Sequence, residues 1–195
     1  MRNQKKPFLS SFLVWLGIFL LIAAGALMIA WQWHIHAAAQ KSEGYVHTLR
    51  TLMPAPQGAV VQPRSDNTMP ALSLEGTDFV GILEMPRFGC VLPVGANWGN
   101  SSSFPCRFDG SIYDGSLQIG ATSQEGQFDF YRLLNVGDPV FFTDMEGNRY
   151  ACTIVDLLYS QHADQAALQR KNAPLTLFIK NIYALEYIIV YCDAA

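Results

Sequence analysis

The amino-acid sequence predicts a mainly β domain, a closed barrel or a sandwich, carried behind an N-terminal transmembrane helix. Three observations predict it. Residues 8–31 of the 195 form an apolar stretch without a single charged side chain. Beyond residue 74, short runs alternate apolar with polar side chains and are broken by Gly, Asn, Asp and Pro, the pattern of half-buried strands joined by turns. In that region only 128–134 and 163–170 have helical spacing.

Composition limits the function classes. The chain is 50% apolar and 15% charged, with a formal net charge of −3. A nucleic-acid binder needs a basic face for phosphates, and this balance offers none. Aromatics at 12% with so few charges exclude a largely disordered chain.

The elements follow in order. At about 1.5 Å per residue the stretch 8–31 extends roughly 36 Å, enough to cross a hydrocarbon core of about 30 Å. A soluble core helix is rarely apolar on every face over such a length. Arg2, Lys5 and Lys6 precede it, whereas Lys41 and Glu43 nearly cancel after it. The positive-inside bias then puts the N-terminus in the cytoplasm and the rest of the chain outside a plasma membrane crossed once. Trp31 and Trp33 stand where an interfacial aromatic belt is expected. Ala37-Ala38-Ala39 imitates a cleavage site, but signal peptides carry apolar regions of only about 7–15 residues, so an uncleaved anchor is expected.

Residues 36–52 read as a continuing helix, and Pro54, Pro56, Gly58, Pro63 and Pro70 then mark a linker. The expected organisation is a cytoplasmic tail over 1–7, an anchor over 8–33, a juxtamembrane helix and Pro-rich linker over 34–73, and a barrel over 74–195. Strands are expected at 79–85, 90–94, 117–120, 139–143, 150–158, 175–180 and 187–192. Turns are expected at Asn135-Val136-Gly137-Asp138 and, as a hairpin, at Glu146-Gly147-Asn148. Trp98 is expected to cap the barrel, with groove lining as the alternative.

These residues resemble a known family. Phe79-Val80-Gly81-Ile82-Leu83-Glu84-Met85-Pro86 and Leu92-Pro93-Val94 are similar to the opening strands of sortases. Gly110-Ser111-Ile112-Tyr113 with Leu117-Gln118-Ile119-Gly120 resembles the next part. Phe128 with Leu134-Asn135-Val136-Gly137-Asp138-Pro139-Val140 looks like the family's short helix and the turn after it. The hairpin Phe142-Thr143-Asp144-Met145-Glu146-Gly147-Asn148-Arg149-Tyr150 and the strand Leu175-Thr176-Leu177-Phe178 complete the order over about residues 74–192. The resemblance implies an eight-stranded barrel with one or two short helices on a bacterial cell surface. It also implies a cysteine transpeptidase that cuts a sorting signal between Thr and Gly and passes the acyl group to an amine. That chemistry takes a Cys thiolate, a His acid and an Arg for the oxyanion.

Carried over residue by residue, the resemblance finds all three catalytic positions substituted. Lys180 stands at the Cys position in Leu175-Thr176-Leu177-Phe178-Ile179-Lys180. Thr122 stands at the His position after Ile119-Gly120-Ala121, and the Arg position falls at Glu186 or Tyr187. The expected function is therefore that of an inactive sortase-like binder or scaffold in surface-protein sorting or pilus assembly. Its expected partners are the membrane and either a sorting-signal peptide or an active sortase. The alternative is an active transpeptidase or hydrolase that uses Thr122 with Lys180 as base, or a displaced Cys. Otherwise Lys180 is expected to pair with Glu186 at the surface.

Cys90, Cys106, Cys152 and Cys192 allow three complete pairings outside the cell, or remain buried thiols. No Cys-x-x-Cys spacing, acidic metal cluster or Gly-rich phosphate loop is present, so neither metal nor cofactor is expected. His34, His36 and His47 belong to the anchor and stalk, and His162 to a polar loop.

Overall fold

A computed structural model of the chain describes residues 8–60, 66–99, 103–124, 126–161, 173–181, 184 and 186–195. The tail 1–7, His162 and the helix expected at 163–170 lie outside the described residues. The chain forms two compact units, Met1–Ala37 and Ala38–Ala195. Helix α1, Phe8–Leu52, runs through the first and into the second. Its segment Phe12–Ala30 is long and apolar enough to cross a membrane, and none of it is buried inside the protein. Trp15, Phe19 and Leu21 are all exposed, which suits a lipid-facing surface and not a core helix.

Among the described residues of the second unit ten strands follow: β1 Gln57–Ala59, β2 Leu72–Leu74, β3 Thr77–Met85, β4 Cys90–Gly95, β5 Cys106–Asp109, β6 Leu117–Thr122, β7 Pro139–Asp144, β8 Asn148–Ser160, β9 Leu175–Asn181 and β10 Glu186–Ala194. Eight of them close a barrel in the order β3-β4-β5-β6-β9-β10-β8-β7 and back to β3. The pairs β4–β5 and β6–β9 are parallel, and the other pairs in the ring are antiparallel. β2 adds to β3 and β1 to β8 outside the ring.

The barrel interior is written in the strand alternation. Leu117, Ile119 and Ala121 of β6 meet Leu175, Leu177 and Ile179 of β9 and Ile188, Val190 and Cys192 of β10 in one buried core. A two-residue period points all of these the same way. β3 breaks the period with a register shift at Phe79/Gly81, after which Leu83 and Met85 join Val80 inside.

The sequence places the start of the globular domain near residue 74, whereas the compact unit here begins at Ala38. Tyr45 and Leu49 of α1 are buried with Phe79, Ile82, Phe104 and Cys106 on the outer barrel wall. Glu84 joins the same helix end to the barrel, accepting from Arg50 at 2.5 Å and from Arg149 at 2.6 Å.

The seven expected strands are present and longer by a few residues, while β1, β2 and β5 were not expected. Those three are only three or four residues long, too short for an alternation to stand out, so pairing and not pattern makes them strands. Residues 128–134 form turns that lead into a short 3-10 helix, Tyr131–Leu133, where helical structure is expected. Both expected turns are made, with Gly137 at φ +95° and Gly147 at φ +82°. At the second, Asp144 Oδ1 accepts the backbone N–H groups of Glu146 and Asn148, each at 2.9 Å.

Candidate functional site

The ends of β6 and β9 and the start of β10 lie side by side. Thr122 is in register with Lys180 across the parallel pair, and Lys180 with Tyr187 across the antiparallel one. Thr122, Lys180 and Tyr187 therefore occupy one rung of three neighbouring strands. The preceding rung, Ala121–Ile179–Ile188, is buried in the core, so the pleat turns Thr122, Lys180 and Tyr187 to the outer face.

Each of the three is held differently. The Thr122 hydroxyl donates to Gln127 Oε1 at 3.1 Å, and the Thr122 N–H donates to the same oxygen at 3.0 Å. Lys180 is exposed and forms no ion pair with Glu186 among the described residues, unlike the surface pair expected. Glu186 lies opposite Asn181 and not Lys180, because the β9–β10 register sets Tyr187 there. Tyr187 is half-buried against a cluster that contains Phe178, Ile189 and Tyr191. Below the rung, Asn181 Nδ2 donates to the Tyr131 hydroxyl at 2.9 Å, and Ser123 N–H donates to the Lys180 carbonyl at 3.0 Å.

Next to the rung lies an aromatic cluster that sequence reasoning missed. Trp98 packs on Phe178 with ring centroids 5.1 Å apart, and Phe108 packs on Phe178 at 5.0 Å. The Trp98 ring covers Gly120, where any Cβ would collide with Trp98 and Phe178. Trp98 thus rests on the outer wall between β6 and β9 and does not cap the barrel end. The available signal was Gly120 itself, the outward position between inward Ile119 and Ala121.

The four cysteines are unpaired. Burial pushes the thiol of Cys90 up to about 12 and those of Cys106 and Cys152 up to about 11, and raises that of Cys192 as well. A nucleophilic cysteine needs the opposite shift. Of the histidines, His34, His36 and His47 belong to α1 and His162 lies outside the described residues.

No family model and no curated protein matches this chain. Solved structures do. Sortase C-3 from Streptococcus pneumoniae superposes with a TM-score of 0.53 at 17% identity, over 83% of this chain and 84% of that one. Sortase A from Corynebacterium diphtheriae gives 0.53 at 13% identity, again over 83% and 84%. Sortase C from Clostridium perfringens SM101 gives 0.51 at 17% identity, over 60% and 70%. Likeness of backbone at such low identity speaks to architecture, and the closed eight-stranded ring agrees with it: the barrel of this chain has the sortase fold.

Proposed function

We propose that this chain is a membrane-anchored, extracytoplasmic sortase-fold protein that binds or scaffolds without transpeptidase chemistry. Its occupant is an extended peptide of the sorting-signal kind, or an active sortase. The observation that carries the reading is the rung Thr122–Lys180–Tyr187, which holds no thiol, imidazole or guanidinium. The buried thiols elsewhere favour the neutral form and offer no substitute nucleophile. An outer sheet face can still take an extended peptide through backbone hydrogen bonds and apolar contacts. Arg2, Lys5 and Lys6 before the apolar helix support a cytoplasmic N-terminus and an external barrel.

A second reading rests on the same register, which makes Thr122 and Lys180 neighbours. A Thr nucleophile with a Lys base needs the hydroxyl proton directed at the amine. Here that proton is given to the Gln127 amide, which favours the binding reading.

The test uses the full chain in detergent micelles with a panel of sorting-signal peptides, reading binding and cleavage together. Saturable binding without cleavage is expected. A Thr122→His, Lys180→Cys, Tyr187→Arg variant that gains turnover would strengthen the reading. Cleavage by the natural chain that disappears on Lys180→Ala would overturn it.

A further inference from the structure

We infer that Asp109 is a site of spontaneous covalent modification, closing with the Gly110 nitrogen to a cyclic imide that reopens in part as an isoaspartyl linkage. The inference does not depend on whether the barrel binds or cleaves a peptide. The chain contains two Asp-Gly steps, Asp109-Gly110 and Asp114-Gly115, and the structure separates them.

Asp109 ends β5 and is exposed to water. The Gly110 N–H donates to Asp109 Oδ1 at 2.8 Å, so the carbon that this nitrogen attacks is one bond from the oxygen it already touches. Holding two reacting groups together in this way removes much of the entropic barrier to their reaction. Among the described residues the Asp109 carboxylate accepts from no other group.

Asp114 is committed instead. Its Oδ1 accepts the Ser116 N–H at 3.1 Å and the Ser116 hydroxyl, and its Oδ2 accepts the Asn67 amide at 3.0 Å. The Gly115 N–H turns to the Ile112 carbonyl at 3.4 Å. The N–H groups of Leu157 and Ala194 touch the carboxylates of Asp156 and Asp193 as Gly110 touches Asp109, but each carries a Cβ that crowds the approach. Gly110 has none, and the fold holds it so: its φ is +70°, and an added Cβ would lie 2.0 Å from the Ser116 carbonyl oxygen.

The step balances with water alone. The Gly110 nitrogen attacks Cγ of the protonated carboxyl, the N–Cγ bond forms, and the hydroxyl leaves as water with the amide proton. Water then opens the ring. Addition at Cγ restores aspartyl, and addition at the main-chain carbonyl leaves the chain running through Cβ and Cγ. The isoaspartyl chain is one methylene longer at the residue that pairs with Gln118. It lies directly after Phe108, whose ring packs on Phe178 at 5.0 Å beside the Thr122–Lys180–Tyr187 rung. Slow conversion thus alters the barrel wall next to the candidate site.

The test incubates the full chain in micelles in heavy-oxygen water at mildly acidic pH for several weeks. Samples are digested in ordinary water and mapped by mass spectrometry, with backbone fragmentation that tells isoaspartyl from aspartyl. Label and isoaspartyl at Asp109 are expected at least roughly tenfold above those at Asp114, a barrier difference of about 1.4 kcal/mol. A sample unfolded in urea should bring the two sites to similar rates, because both keep the Asp-Gly step and lose the contacts. Asp109→Glu, whose longer side chain closes only a six-membered ring, should lose the label at unchanged Tm. Equal labelling of the two sites in the folded chain, label at neither, label kept by Asp109→Glu, or the same difference persisting in urea would overturn the assignment.

Discussion

At the residue scale, the outer face of the barrel is decided by single positions. Gly120 is the clearest, because only a missing Cβ lets Trp98 lie on the wall between β6 and β9. Gly120→Val should expel the indole, at a cost of about 1–3 kcal/mol for overpacking. Trp98 is the one tryptophan outside α1, so the change is readable as altered fluorescence on a constant background from Trp15, Trp31 and Trp33. An unchanged spectrum with unchanged stability would show that the indole does not sit there. Lys180 contrasts with it: exposed and without an ion pair among the described residues, it should tolerate Ala within about 0.5 kcal/mol by urea unfolding.

At the element scale, the end of α1 acts as part of the barrel. Leu49 is fully buried among Phe79, Ile82 and Phe104. Leu49→Ala should therefore cost about 2–5 kcal/mol in a urea titration, as a core truncation does and a linker truncation does not. Glu84 of β3 ties the same helix end down through Arg50 and pairs within the barrel with Arg149 of β8, its side chain 15% exposed. Glu84→Ala should cost about 1–2 kcal/mol, between the exposed-pair and buried-pair limits. A double-mutant cycle with Arg50→Ala measures the coupling, and a coupling near zero would reduce the contact to surface decoration.

At the scale of the whole molecule, the buried thiols link stability to pH. The folded chain keeps the protons of Cys90, Cys106 and Cys152 until about pH 11–12, whereas an unfolded thiol releases its proton near 8.5. Above that lower value the folded state binds more protons, so stability falls as pH rises. It is fully present below about pH 8.5 and is lost progressively toward pH 11–12. Each thiol adds to the decline across that window. The urea midpoint should drop between pH 8 and pH 10, and Cys106→Ala with Cys152→Ala should flatten the drop. An equal slope in both proteins would rule the thiols out as its source.

Much of this was legible in the sequence, because the physics that writes it is local. A charge-free run records a lipid-sized helix, and two-residue alternation records walls with one wet and one dry face. Gly137 and Gly147 record turns that need positive φ. Thr122, Lys180 and Tyr187 could be singled out only through the family resemblance of the strands that they end or begin. What only the tertiary structure decided is which distant segments meet. Thr122 and Lys180 are far apart in the chain, and their pairing follows from closing a parallel ladder between β6 and β9. The same closure lays Trp98 over Gly120, and packing leaves Ser42 buried with no hydrogen-bond partner among the described residues. Periodicity reports whether a side chain is buried, and contact between distant residues depends on register and packing, which no short window of sequence contains.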